Sequence, residues 1–384
     1  MQLRFVVPGV AVALAAVTLA RATGWPPAAL GAPATRLRAT VDRAAAAGSR
    51  QASDGRFHNT LPDEVVTQGS LLAIARAVLL RGPVGRPRRP VPLAADPLPP
   101  APAPLALTWY GHSSVLLEVD GRRVLADPVW GERVSPSPAI GPRRLHPVPL
   151  PLSTLPPVDA VVISHDHYDH LDLPTVRTLL HTQTAPFVVP LGLGNHLRRW
   201  GVPGARIVEL DWDESHEIAG LTLTCTEARH FSGRGLRRNT TLWSSWAVAG
   251  PRHRAFFGGD TGYTPAFADL GAAYGPFDLT VLPIGAYSEL WPLIHMTPEE
   301  AVQAHCDLTR RDPTREDPTD AQPALLVPVH WATFNLGFHP WAEPVQRFRD
   351  AADGAGVPIA VPRPGERIDA AAPPAPTEWW TAVG

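Results

Sequence analysis

The alternation of apolar and polar positions changes character twice along the chain. Residues 5–20 carry no charge and lie between Arg4 and Arg21. That run is shorter than the roughly 20 apolar residues a spanning helix needs. It reads as the core of a signal peptide or an imperfect membrane anchor, or else as a disordered or helical leader with no targeting role; Ala20-Arg21-Ala22 is a weak small-x-small cleavage match in an alanine-rich chain. Residues 61–81 predict a helix. Asp63 and Glu64 fall in an early turn, apolar residues run from Leu71 to Leu80, and Arg81-Gly82 closes it. Residues 83–104 are rich in proline without a period, which predicts an extended linker or a wrapped surface arm.

From Leu105 onward the pattern is one of short strands. Strands are predicted at 107–110, 114–119 and 123–126, with Gly121 turning the chain between the last two. Further strands follow at 158–164, 187–190, 206–210, 221–227, 242–248, 255–258, 279–284 and 325–330, with helices at 173–181 and 298–308. Residues 309–323, charged and proline-rich, predict a surface loop. Strands outnumber helices, and several end at a His or Asp. This predicts an α/β (α+β) fold with two sheets covered by helices and ligands carried on the loops. The resulting division is a leader at 1–22, a helical and proline-rich arm at 23–104, a main domain at 105–370 and a tail at 371–384.

Composition narrows the function classes. Of the 384 residues, 45% are hydrophobic and 18% charged, so a substantial core is available. The formal net charge of -2 excludes a strongly basic polymer-binding protein but leaves room for a local basic patch; without a basic stripe or interleaved aromatics a nuclease is the weaker reading and no nucleic-acid partner is expected. All 34 basic residues are arginine, a global bias that locates no site. Cys225 and Cys306 are too few for a disulfide framework and form no Cys-x-x-Cys pair, and both read as small buried hydrophobes.

The chemistry gathers after the strand that ends at Ser164. His165-x-His167-x-Asp169-His170 places four metal-capable side chains within six positions. Zinc takes imidazole nitrogen and carboxylate oxygen, and catalytic zinc sites keep a position open for water. His230, Asp260 and His330 each stand at the end of a predicted strand and supply the ligands that the first cluster lacks for a two-metal site. Gly258 and Gly259 would let the backbone before Asp260 come close to the metals.

These residues, in this order, resemble the metal motifs of the metallo-β-lactamase superfamily. Within it the chain resembles the N-acylphosphatidylethanolamine-hydrolysing phospholipase D group and its bacterial relatives. Supporting stretches include Thr108-Trp109-Tyr110-Gly111-His112, Gly141-Pro142-Arg143-Arg144, Arg229-His230-Phe231-Ser232-Gly233-Arg234-Gly235, Ile284-Gly285-Ala286-Tyr287 and His330-Trp331-Ala332-Thr333-Phe334, over roughly residues 105–345. The resemblance implies a four-layer αβ/βα sandwich of two mainly antiparallel or mixed sheets flanked by helices. It also implies two zinc ions or other divalent metals. His165, His167 and His230 would bind one, Asp169, His170 and His330 the other, and Asp260 would bridge. Asp169, Asp260 and His295 are the catalytic candidates, with His295 as a proton donor or phosphate contact, or else an ordinary loop histidine. His112 and Asp127 would support the metal loops. Arg143, Arg144, Arg234 and Arg237 would meet an anionic substrate or remain solvated surface arginines. Antibiotic hydrolysis is not expected, because Asp260 takes the bridging place and neither cysteine lies nearby in sequence.

One departure bears on the substrate. The family usually continues Ile-Gly-Ala-Tyr with Glu-Pro-Arg, whereas here the residues are Ser288-Glu289-Leu290. A water between two divalent ions is acidified, from a pKa of 15.7 to about 7 on a single zinc. The hydroxide so formed can attack the phosphorus of a phosphodiester or the carbonyl of a lactone. The leading expectation is therefore a zinc phosphodiesterase acting on N-acylphosphatidylethanolamine-like phospholipids. The alternatives are a lactonase or phosphosugar-type hydrolase on a soluble substrate, and a non-catalytic metal-binding envelope protein. Expected partners are a phospholipid or other anionic small molecule, a membrane surface, and a second copy of the chain as a homodimer. Expected localisation is membrane-associated or exported through the apolar N-terminal segment, with a cytoplasmic alternative.

Overall fold

The computed structural model describes residues 28–61, 82–310 and 323–384, apart from 96, 236 and 376. Within 62–81 only Ala73, Arg76, Ala77 and Leu80 are described, and all four are helical. The apolar run at 5–20, most of the helix expected at 61–81 and most of the loop expected at 309–323 lie outside the described residues.

After helix α1 (Ala34–Ala46) and a small hairpin of β1 (Ala52–Ser53) and β2 (Arg56–Phe57), the chain builds two sheets. The first contains β3 (Leu105–Gly111), β4 (Ser114–Val119), β5 (Arg122–Ala126), β6 (Ala160–Val162), β7 (Phe187–Pro190) and β8 (Ile207–Leu210), with β15 (Arg367–Asp369) paired on β3. The second runs in the order β14-β13-β12-β11-β10-β9. Its strands are β9 (Ser215–Ile218), β10 (Leu221–Thr226), β11 (Ser245–Ala249), β12 (Arg254–Phe257), β13 (Leu279–Pro283) and β14 (Leu325–Val329). Both sheets are mixed. Pairing is parallel from β5 to β8 and from β12 to β14, and antiparallel elsewhere.

A period of two decides which side chains meet. In β4, Val115, Leu117 and Val119 enter the core shared with Leu223, Trp246 and Phe257 of the opposite sheet, while Leu116 faces the other way. In β6 and its extension, Ala160 and Val162 point into that shared core, and Val161 and Ile163 point outward onto α2 (Leu173–Thr182). Helix α2 is capped by Asp172, whose carboxylate accepts from Thr175 N at 3.1 Å, and it buries Leu173, Val176 and Leu179. Alongside it lies α3 (Gly194–Arg199). On the second sheet's side stand α4 (Ala266–Tyr274), α5 (Pro298–Thr309) and α6 (Glu343–Ala355). Helix α5 opens with a capping box of Thr297 and Glu300.

Three expectations need correction. Cys225 is buried as expected, but Cys306 is exposed: α5 buries Ala301, Val302, Ala304, His305 and Leu308, and position 306 falls off that stripe. The membrane-associated or exported localisation through an N-terminal apolar segment is not upheld. Among the described residues no helix is long and apolar enough to cross a membrane, and the 5–20 run contributes no described apolar element. The sequence reading also assigned no element to α1, α3, α4, α6, β9 or β15. Helix α6 buries Pro344, Val345, Phe348 and Ala352 between charged residues, a stripe easily lost in a polar stretch.

The proline-rich arm and the C-terminal residues pack against the sandwich. Val91 and Ala94 of the proline-rich arm are buried, and Trp380 packs on Trp331 beside Trp109, Trp341 and Trp379. That aromatic stack lies immediately after His330.

Candidate metal centre

The strands deliver their polar C-terminal residues to one edge of the sandwich, where solvent exclusion is nearly complete. His165, His170, His230, Asp260 and His330 are buried, and the Asp169 side chain is 14% exposed. Their donor atoms face one another in two sets. The first is His165, His167 and His230: His165 Nε2 lies 2.8 Å from His167 Nδ1, and His230 Nε2 lies 3.3 Å from the same atom. The second is Asp169, His170 and His330, joined by His112 through His112 Nε2 and Asp169 Oδ2 at 2.9 Å. Asp260 stands between them. Its Oδ2 lies 3.0 Å from His330 Nε2, 3.1 Å from His170 Nε2, 3.8 Å from His230 Nε2 and 3.9 Å from His165 Nε2. His295 Nδ1 is 3.9 Å from the same oxygen. The structure thus brings all eight sequence-selected residues to one place.

Outer contacts fix which nitrogen each ring turns inward. His170 Nδ1 meets Asp127 Oδ2 at 2.6 Å, His165 Nδ1 meets Ser164 Oγ at 2.9 Å, and His230 Nδ1 meets the Ile294 carbonyl at 2.8 Å. Each contact leaves Nε2 for the interior, the arrangement that metal-ligating histidines adopt. Asp127 is itself held by Ser164, whose N and Oγ donate to its two oxygens at 2.7 and 2.6 Å. Backbone strain collects here as well: His112, Asp127, Ala286 and His330 all have positive φ, between 41° and 63°. Gly259, at φ 59°, has no room for a side chain, since a Cβ there would sit 2.5 Å from Ser164 Cβ. The close approach of the backbone at Gly259 is to Ser164 and to the Ser244 carbonyl.

The cluster fits a metal. His170 Nε2, His330 Nε2, His295 Nδ1 and Asp260 Oδ1 are buried without a hydrogen-bond partner, and the three imidazoles meet the other carboxylate oxygen, Asp260 Oδ2, as ion-pair contacts at 3.1, 3.0 and 3.9 Å. Buried polar atoms left this way are unfavourable unless a cation takes them. The charges say the same. Burial raises the pKa of Asp260, yet His170 and His330 hold its carboxyl well below the usual range. Burial lowers the pKa of His330, yet Asp260 and Asp169 lift it to about 9. Protons stand in these imidazoles where a divalent ion would compete for the same nitrogens.

A cavity of about 250 Å³ opens over the cluster, walled by Phe231, Trp291, Ile294 and Leu336 and carrying Arg238. A larger depression of about 1060 Å³ adjoins it at Leu336. The four arginines selected from sequence do not line the smaller cavity. Arg143 is exposed and pairs with Glu132. Arg144 is buried, donates to the Val129 carbonyl and stacks over Phe334. Arg234 is buried, with Nη1 donating to the carbonyls of Asp166 and Leu171 at 2.6 and 2.8 Å. Arg237 faces a separate hollow beside α1. Sequence reasoning missed Arg238, although the arginine pair after the Ser232-Gly233 turn was visible.

Comparison with known proteins places the fold in a family. A family profile described as a beta-lactamase superfamily domain matches residues 122–331. An uncharacterized protein of Mycobacterium tuberculosis is 53% identical over 97% of both chains. An N-acyl-phosphatidylethanolamine-hydrolyzing phospholipase D of Caenorhabditis elegans is 39% identical over 65% of this chain and 70% of its own. Among solved structures, an isothiocyanate hydrolase from Delia radicum gut bacteria superposes with a TM-score of 0.52 at 22% identity, covering 69% of this chain and 98% of that one.

Proposed function

Because the chain belongs to the beta-lactamase superfamily and is a metal-dependent hydrolase of the metallo-β-lactamase fold, we propose that it is a zinc phosphodiesterase of the phospholipase D type. Its proposed substrates are N-acylphosphatidylethanolamine-like phospholipids. The observation that carries this reading is the Asp260 carboxylate shared by two sets of buried ligand atoms, beside a histidine that belongs to neither. His165, His167 and His230 would hold one ion, Asp169, His170 and His330 the other, and Asp260 both. Two zinc ions, when bound, would neutralise phosphoryl oxygens and acidify the attacking water. The similarity to the nematode phospholipase, extending over 65% of this chain, favours a phospholipid over a lactone.

The chain's own residues do the remaining work. Asp127, Ser164 and the Ile294 carbonyl hold His170, His165 and His230 in orientation, so that little reorganisation is needed during the reaction. Phe231, Trp291, Ile294 and Leu336 keep bulk water from the reacting phosphorus. His295, with Nδ1 unpartnered on the cavity wall, holds a phosphoryl oxygen or gives the departing alkoxide its proton.

The test is elemental analysis coupled to hydrolysis of a phospholipid panel and a lactone panel, in the wild type and in His167→Ala. Zinc in the wild type with release of the phospholipid headgroup alcohol is expected, and both should drop in the variant. Lactone turnover without phosphodiester turnover overturns the reading.

A further inference from the structure

We propose that Arg238 is the residue that selects an anionic phosphodiester over a neutral ester, its guanidinium taking an anionic oxygen of the bound substrate. This rests on the phosphodiesterase reading and deepens it. Arg238 is the one arginine among the described residues lining the catalytic cavity, which it shares with His167, Asp169, Asp260, His295 and His330. Its guanidinium lies over the Phe231 ring, 4.9 Å from the centroid. Phe231 in turn packs against the site, its ring 4.5 Å from that of His167 and 4.9 Å from that of His230. The cation is thus set on an aromatic platform that reaches the cluster, which limits the directions it can take.

The described residues on either side of Arg238 are tied down. Asn239, at φ 61°, donates from its backbone N to the Ser232 carbonyl at 2.9 Å, and Ser232 Oγ donates to the Thr241 carbonyl at 2.6 Å. Tyr168 OH donates to the Arg234 carbonyl at 2.7 Å, and the Phe57 backbone N donates to the Asn239 carbonyl at 2.8 Å. A side chain at Gly233, where φ is 149°, would meet the Arg237 carbonyl at 3.1 Å and Arg238 Cα at 3.3 Å. The turn that presents Arg238 therefore needs glycine at 233.

Charge gives the cation its purpose. Among the described residues, no carboxylate forms an ion pair with Arg238. By contrast, the arginines the sequence singled out at 143, 144 and 234 are taken up by Glu132 or by backbone carbonyls. An exposed guanidinium at a cavity mouth adds a bidentate partner for a phosphate oxygen pair and offers nothing comparable to an uncharged ester.

The experiment uses the zinc-loaded full chain with two soluble substrates, bis(4-nitrophenyl) phosphate, a monoanion, and neutral 4-nitrophenyl acetate. In Arg238→Gln the KM for the diester should rise about 10- to 100-fold, the loss expected for one charge-assisted bidentate contact. Its kcat should change far less, and the KM for the acetate should move by less than about threefold. The Kd for inorganic phosphate, read by calorimetry, should weaken in parallel. Arg238→Lys should recover part of the loss, since it restores the charge but not the fork. Added salt should raise the wild-type KM for the diester and leave that of Arg238→Gln nearly flat. Equal KM changes for both substrates, or an unchanged phosphate Kd, overturn the role of Arg238 while the phosphodiesterase reading stands. A wild type that hydrolyses the acetate and not the diester overturns both.

Discussion

Asp127→Asn tests how the site is held together. Asp127 is fully buried and accepts three hydrogen bonds, from Ser164 N at 2.7 Å, Ser164 Oγ at 2.6 Å and His170 Nδ1 at 2.6 Å. Asparagine keeps the shape but turns one acceptor oxygen into a donor. If its amide nitrogen faces His170, Nδ1 must become an acceptor and the ring proton moves to Nε2. That atom lies 3.1 Å from Asp260 Oδ2 and is the one a metal would take. If the amide is flipped, its NH2 meets the Ser164 N–H and one buried donor goes unsatisfied, at a cost of about 1–3 kcal/mol. The first orientation compromises the His170 ligand nitrogen, and the second destabilises the turn at Ser164 that leads into the ligand loop. Loss of such an orienting partner lowers metal affinity by about 10- to 100-fold, or roughly 1.4–2.7 kcal/mol. The assay is zinc titration against a chromogenic chelator, with the thermal midpoint measured with and without metal. One ion should weaken by that factor, the other should change little, and the metal-induced rise in midpoint should shrink. Two unchanged affinities would show that the ring is held by packing alone and that the tautomer argument is wrong.

Other predictions concern parts of the fold that support the site. Gly259→Ala puts a methyl 2.5 Å from Ser164 Cβ at a positive φ, and should lower unfolding free energy by about 1–3 kcal/mol and metal content with it; a fully metallated variant of wild-type stability would contradict the close-approach argument. Trp380→Ala removes a buried ring from the stack on Trp331, and denaturant unfolding should show a loss of about 3–5 kcal/mol; a loss below about 1 kcal/mol would mean the stack carries little stability. His305, buried in α5 with Nδ1 2.7 Å from Thr280 Oγ1, has its pKa pushed down by burial to about 4. Its neutral form is the one the fold accommodates. The stability it contributes is therefore complete above the ordinary value of 6.5 and is lost as pH falls from there to about 4, by roughly 3 kcal/mol. Urea titrations of wild type and His305→Gln at several pH values should converge on acidification; parallel profiles would remove His305 from the acid response.

Much of this was legible in the chain because the signals are local. Val161, Val162 and Ile163 alternate between two buried environments and so read as an apolar strand, and the polar residues that follow must leave the sheet at its edge. The metal-capable side chains cluster within six positions there, and few structural roles call for that density. Helix α5 announced itself through Thr297, Pro298 and Glu300. Signals that depend on distant partners were not legible. Arg144 and Arg234 look like any other arginine in a chain whose bases are all arginine, and only packing shows them buried against carbonyls. His112 joins the site because Thr333, 221 positions away, holds its backbone N. The C-terminal residues read as a tail, yet they cover Trp331.

The sequence alone determined the periodicities, hence the two-sheet α/β class, and the identities of the residues able to bind a metal, since both are properties of short windows and side-chain chemistry. Only the tertiary structure decided that His230, Asp260 and His330 reach the 165–170 loop, that each ring turns a particular nitrogen inward, and that Arg238 stands over the cavity. Those facts depend on how separate strands are brought side by side, and distance in space between residues far apart in the chain is fixed by the packing of the whole core.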